Sequence, residues 1–70
     1  MENTIVRIKC YNTRGNLYKV IKTTFEQGEK LQSDCNSFGC WCTYDKEKHV
    51  YKVHGCQADI NYLLKTRIEK

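Results

Sequence analysis

The five cysteines are the residues of this chain best suited to chemistry. Three of them, Cys35, Cys40 and Cys42, fall within the segment "DCNSFGCWC" (34–42). Thiols can bind a metal, carry out redox chemistry or form disulfides. Five cysteines in 70 residues is a density typical of secreted disulfide scaffolds, whereas in a cytosolic protein it more often indicates zinc. The spacing has to decide among these uses.

The spacing disfavours both a metal site and a redox site. The pattern is C-x4-C-x-C, with thirteen residues between Cys42 and Cys56, so the second knuckle of a usual zinc ribbon is missing although His49 and His54 are near. No C-x-x-C occurs, which is the pattern of a thioredoxin-type site. Disulfides remain, and four of five cysteines can pair in several ways, so the pairing stays open at this level.

Catalysis by other groups is poorly supported. The only serines, Ser33 and Ser37, lie near Asp34, and nothing resembles a base oriented by a buried acid beside an oxyanion hole. We therefore expect a protein that is not an enzyme and that needs no cofactor and no metal.

The charge is unevenly distributed along the chain. The net charge is +4, with +4 in residues 1–24, −3 in 25–47 and +3 in 48–70. Basic and aromatic side chains interleave early in the chain, a pattern that could stack single-stranded bases. The acidic middle and the disulfide interpretation argue against nucleic acid, and most lysines fit solvent-facing strand positions. We expect no nucleic-acid partner.

No segment has the pattern of a signal peptide or a membrane span, so we expect no membrane insertion. The cysteine pattern favours a mature secreted, extracellular chain with an added initiator Met1 over a cytosolic protein. At this length a single domain, 1–70, is marginally stable without cross-links.

The hydrophobic pattern predicts a mainly β, α+β fold. Alternation predicts strands over 4–10, 17–24, 38–44 and 48–54. The first two strands should form a hairpin, the last two are joined by the charged turn "DKEK" (45–48), and all four make an antiparallel core. The polar stretch 25–35, which contains Gly28, is predicted to be a loop. A helical period from Asp59 predicts a short C-terminal helix over 59–68, with a fifth strand as the alternative. Disulfides would hold this small fold together.

The cysteine spacing over residues 8–56 resembles the first half of a von Willebrand factor type C domain. It is also similar to the N-terminal half of β-microseminoprotein and to short secreted arthropod salivary and venom proteins. The chain has four residues before C-x-C where the family usually has two, and a helical tail over 57–70 replaces the second subdomain. The resemblance is carried by Cys10, Phe25, Gly28, Glu29, Cys35, Cys40, Cys42, Gly55 and Cys56.

The resemblance implies a disulfide pairing. Carried over to this chain, it joins Cys10 to Cys42 and Cys40 to Cys56, and it leaves Cys35 unpaired because the family partner of that cysteine lies in the missing subdomain. An unpaired cysteine in a secreted chain indicates a free thiol or an intermolecular bridge. We therefore expect Cys35 to be accessible and to link a homodimer.

These observations lead to a functional hypothesis of a secreted, non-enzymatic binding protein that inhibits an extracellular protein, of the salivary, venom or host-directed kind. One alternative is a channel-directed toxin, and another is an intracellular zinc module that binds nucleic acid. Exposed aromatic residues are favoured at binding hot spots. The residues expected to contact the partner are Trp41, Tyr18 and Tyr51, together with Glu26, Glu29 and Lys30 of the predicted loop.

Overall fold

A computed structural model describes residues 4–68 of the chain. Four strands and two helices follow one another in the order ββαββα, which confirms the α+β class. The elements are β1 (Ile5–Tyr11), β2 (Leu17–Thr24), α1 (Phe25–Ser37), β3 (Trp41–Asp45), β4 (Val50–His54) and α2 (Gln57–Arg67).

The strands form one mixed sheet in the order β2-β1-β4-β3. The predicted hairpins β1–β2 and β3–β4 are present and antiparallel, but β1 pairs with β4 in parallel. The expected purely antiparallel core is therefore wrong. The parallel pairing arises because α1 connects β2 at one edge of the sheet to β3 at the other edge. The second hairpin therefore enters the sheet with β4 next to β1.

The two faces of the sheet differ in their cover. Val6, Ile8 and Cys10 point to the face that carries both helices, and they share one buried core with Leu31 of α1 and with residues of α2. No helix among residues 4–68 covers the other face, which we call the open face. Alternation assigns to it Ile5, Arg7, Lys9, Tyr11, Leu17, Val20, Lys22, Trp41, Thr43, Asp45, Val50, Lys52 and His54, of which only Val50 is buried.

Helix α1 occupies the segment that was predicted to be a loop. Thr24 caps it by accepting a hydrogen bond from the backbone N–H of Gln27 at 3.3 Å. Thr-x-x-Gln is a capping-box spacing, and Leu31 and Cys35, four residues apart, form the buried stripe that follows. The prediction of a loop is wrong because it rested on polar composition and on Gly28, and the exposed side of this helix accommodates the polar residues while Gly28 is buried against the sheet.

Gly28 is in the helix because α1 lies very close to the sheet. A Cβ atom at this position would stand 2.5 Å from Cε2 of Tyr51, closer than side chains tolerate. The ring of Tyr51 packs against that of Tyr44, tilted by 30° with centroids 4.4 Å apart, and the ring of Phe25 in α1 meets Tyr44 edge-on with centroids 5.3 Å apart. Because Gly28 has no side chain, the helix packs closely against the aromatic rings of the sheet.

Helix α2 confirms the predicted C-terminal helix and begins two residues earlier than expected, at Gln57, after Cys56 as N-cap. Its apolar side chains Ile60, Leu63 and Leu64 are fully buried in the shared core. Arg67 donates from Nε to Oδ2 of Asp34 at 2.6 Å and links the two helices. Both partners are partly exposed, so this ion pair adds at most about 1 kcal/mol, and burial holds the helix in place.

We predict that Gly28→Ala destabilises the fold. Helix propensity alone favours alanine by about 1 kcal/mol. The added methyl must instead displace the ring of Tyr51, and overpacking of this kind costs about 1–3 kcal/mol. Urea denaturation followed by circular dichroism measures the difference. Ser33→Ala, on the exposed side of the same helix, is the control and should leave the unfolding free energy nearly unchanged. A more stable Gly28→Ala variant would contradict the close approach.

Candidate functional site

Four cysteines, Cys10, Cys35, Cys40 and Cys42, are buried in the core between the sheet and the helices, and Cys56 is exposed. The expected Cys10–Cys42 and Cys40–Cys56 disulfides are not formed, and no cysteine pair is near disulfide distance. Register explains the first case, because Cys10 and Cys42 both pair with Val53 from opposite sides. They are thus two strand spacings apart, about 10 Å, which exceeds the reach of a disulfide.

Cys35 lies in the core and is not accessible, contrary to expectation. It is fully buried on the inner side of α1, one turn beyond Leu31. A homodimer linked through Cys35 would require α1 to leave the sheet. The expected position in a polar loop was wrong because the loop is a helix and Cys35 belongs to its apolar stripe.

The thiols of Cys35 and Cys40 are held in their protonated form. A hydrogen bond with the Cys42 thiol, together with burial, raises the pKa of Cys35. Burial also raises the pKa of Cys40, whose Sγ lies so close to Gly55 that a Cβ there would be 2.9 Å away. Protonated thiols are poor nucleophiles and poor metal ligands. Among residues 4–68, no group of three or more His, Cys, Asp or Glu is arranged to hold a metal ion. These cysteines serve as small apolar core residues.

The open face carries an aromatic row at one end. Trp41 pairs with His54 across β3 and β4, His54 pairs with Tyr11 across β4 and β1, and Leu17 of β2 completes the row. The rings of Tyr11 and His54 are stacked, with centroids 4.6 Å apart and planes 6° from parallel. Trp41 is 71% exposed, so its indole is available for contact.

Basic side chains occupy the next two rows of the open face. Lys9 and Lys52 are direct cross-strand partners, and Arg7 pairs with Lys22 one row further along. Among the described strand residues of this face only Asp45 is acidic, and its Oδ1 accepts hydrogen bonds from the backbone N–H groups of Glu47 and Lys48 in the β3–β4 turn. The positive charge of the face is therefore largely uncompensated from within.

Two grooves lie at opposite ends of the basic rows. The first, with a volume of about 500 Å³, has Trp41 and His54 in its lining, together with Thr43, Gly55 and residues Asn12, Thr13 and Gly15 of the β1–β2 turn. The second, about 260 Å³, is lined by Ile5, Arg7, Lys22, Lys48 and His49, without an acidic side chain. An apolar, ring-lined groove and a cationic groove thus share one surface.

Of the three aromatic residues predicted to contact a partner, one lies on the open face and the other two lie elsewhere. Tyr51 is 1% exposed, in the core. Tyr18 sits at the register shift opposite Cys10 and Tyr11, faces α2 and donates to Oδ1 of Asn61 at 3.2 Å. Burial raises the pKa of Tyr18 to about 12. Only Trp41 remains on the open face.

The predicted contacts in 25–35 also lie elsewhere. Glu26, Glu29 and Lys30 are on the exposed side of α1, on the other side of the molecule from Trp41. Sequence reasoning missed Tyr11 and His54 as members of a surface group. The alternation along β1 could have indicated Tyr11, because Arg7, Lys9 and Tyr11 are two residues apart and therefore lie on the same face of the strand.

No protein-family model matches this chain, and no curated protein or solved structure matches it either. The von Willebrand type C resemblance therefore stays a prediction. No helix within residues 4–68 is long and apolar enough to cross a membrane.

We predict that one thiol of five reacts readily in the native protein. Cys56 is exposed at the start of α2, whereas the other four are buried. Iodoacetamide at pH 8, followed by intact mass, should add one carbamidomethyl group quickly and four more only after denaturation. Cys56→Ser should remove the fast step. A native protein that alkylates in denaturant only after reduction would show that disulfides hold the fold.

We predict that Tyr51→Phe reduces the loss of stability at high pH. Burial raises the pKa of Tyr51 to about 12, so the folded state binds the phenolic proton more tightly than the unfolded state does. Stability from this group is complete below pH 10 and falls by about 2 kcal/mol by pH 12. Urea denaturation between pH 9 and 12 measures the difference between wild type and variant. Identical pH profiles would place Tyr51 in solvent, as the sequence had suggested.

Proposed function

We propose that this chain is a non-enzymatic binding protein whose open face docks onto an anionic macromolecule. The observation that carries the proposal is the placement of a largely exposed tryptophan on the same face as Arg7, Lys9, Lys22 and Lys52. Indole supplies contact area, and the basic side chains supply attraction to negative charge.

The distribution of apolar surface supports the same face. Large hydrophobic side chains are exposed at six described positions, and four of them, Ile5, Leu17, Val20 and Trp41, lie on the open face. The other two, Phe38 and Tyr62, contact each other on the helical side at 5.8 Å. Because the strands hold the open-face residues rigidly, little ordering entropy is lost on docking.

The chemistry of the remaining groups supports binding over catalysis. The raised pKa values of Cys35 and Cys40 keep these two thiols protonated, His54 is stacked on Tyr11, and His49 shares a hydrogen bond with the hydroxyl of Tyr44 at 3.3 Å. The secreted inhibitor, the channel-directed toxin and the zinc module remain predictions from sequence, and no contact within residues 4–68 favours any of them specifically.

We predict that charge reversal on the open face abolishes retention on a polyanion. Heparin-agarose should retain the protein at low salt, and Lys9→Glu/Lys52→Glu should elute without retention because attraction becomes repulsion. Lys30→Glu/Lys65→Glu changes the net charge equally, on the exposed sides of the helices, and should elute close to wild type. Equal losses for the two double variants, or an unretained wild type, would refute docking through the open face.

A further inference from the structure

We propose that the anionic partner is a single-stranded nucleic acid, with a base in the groove beside Trp41 and phosphates along the basic rows. This inference rests on the proposed function, because it assigns a partner class to the same face. It differs from the expectation of no nucleic-acid partner. That expectation rested on the acidic middle of the chain and on disulfides, and the fold removes both reasons.

The first groove has the shape and lining of a base site. Trp41 and His54 are neighbours across β3 and β4, and both line the groove. Its volume of about 500 Å³ falls within the range of small-molecule sites. Bases stack on aromatic side chains regardless of sequence, because every base has a flat π-face. The hydroxyl-bearing Thr13 and Thr43 add polar groups at its walls.

The basic rows continue from this groove in the direction of the strands. From Tyr11 in the aromatic row to Arg7, β1 advances four residues, about 13 Å. Lys9 and Lys52 lie midway, and Arg7, Lys22 and Lys48 surround the second groove at the far end. A flexible phosphate backbone that starts at a stacked base would thus meet positive charge along its whole course over the sheet.

A single strand fits these features better than the other polyanions. Duplex DNA offers phosphates but keeps its base faces stacked, which leaves the exposed indole without a partner. An acidic protein segment offers negative charge but no planar ring for the groove. Single strands supply both, and proteins that bind them combine a cationic path with aromatic platforms.

The acidic middle of the chain does not oppose this assignment. Its residues Glu26, Glu29 and Asp34 all belong to α1, which covers the other face of the sheet. Among the described strand residues of the open face only Asp45 is acidic, and its carboxylate accepts hydrogen bonds from backbone N–H groups of the turn, in which Glu47 is exposed to solvent. No cysteine pair is near disulfide distance, so the disulfide argument against nucleic acid does not apply either.

The test uses Trp41 as its own reporter, since it is the only tryptophan of the chain. Fluorescein-labelled dT12 and rU12 are titrated by anisotropy, unlabelled strands by tryptophan fluorescence, and a 12-base-pair duplex and poly-glutamate serve as competing polyanions. The single strands should bind at least ten-fold more tightly than the duplex and quench the indole emission. The logarithm of the binding constant should fall with the logarithm of salt concentration with a slope of about −2 to −3, as expected for three to four phosphates on a single strand.

Two sets of variants separate stacking from charge. Trp41→Ala should weaken binding of the single strands by about 10-fold, the loss of one stacked base, and Trp41→Phe should recover part of it. Lys9→Gln/Lys52→Gln should weaken all strands alike and lower the salt slope by about 1.4. Tyr62→Ala and Lys30→Gln, on the helical side, should bind like wild type.

The outcomes distinguish this inference from the proposed function. Retention on heparin through the open face, with duplex binding as strong as single-strand binding or no indole quenching, overturns the single-strand assignment and leaves the binding face. Displacement of the strands by poly-glutamate at equal charge concentration assigns an acidic protein and overturns the inference as well. An unretained protein on heparin that also binds no strand overturns both.

Discussion

The close seating of α1 on the sheet is the contact on which the rest of the structure depends. Gly28 lies directly over the ring of Tyr51, where a Cβ would stand 2.5 Å from the ring. Tyr51 packs against Tyr44 in the sheet, and Phe25 of α1 contacts Tyr44 edge-on. This approach lets one 13-residue helix bridge the route from β2 at one edge to β3 at the other. Without it, the second hairpin would have no fixed place beside the first.

That seating determines which side of the sheet becomes the core and which is left to solvent. Both helices share one face, where Val6, Ile8 and Cys10 are buried with the apolar stripes of α1 and α2. Within residues 4–68, the four strands form one layer and the two helices form a second layer on one side of it. The open face is therefore in contact with water. Its lysines and its arginine keep it soluble and discourage association, and Trp41 remains exposed among them.

Local patterns predicted the strands, both hairpins and α2, because alternation and helical period are properties of adjacent residues. They could not predict the parallel pairing of β1 with β4, which depends on where a crossover lands. Helix α1 was missed because a glycine that serves a close contact looks like a breaker until its neighbour Tyr51 is known. At the site, alternation with Cys40 and Cys42 places Trp41 on the face away from the core, as observed. Tyr51 was predicted to be exposed, but it is buried because its ring lies beneath Gly28 of α1.

The largest difference between sequence and structure concerns what cysteine density and charge blocks mean. A count of sulfurs does not reveal whether a thiol faces another sulfur or an apolar wall, and buried protonated thiols such as Cys35 have the same composition signature as a cross-linked scaffold. Likewise, acidic residues in one segment of the sequence reduce the positive potential of basic residues in another segment only when both lie on the same surface. Here the fold places the acidic residues of α1 on the far side of the sheet, so the face with Lys9 and Lys52 keeps its positive potential. The order of charged residues along the sequence therefore predicts the kind of partner only when it is known which face of the fold carries the acidic residues and which carries the basic ones.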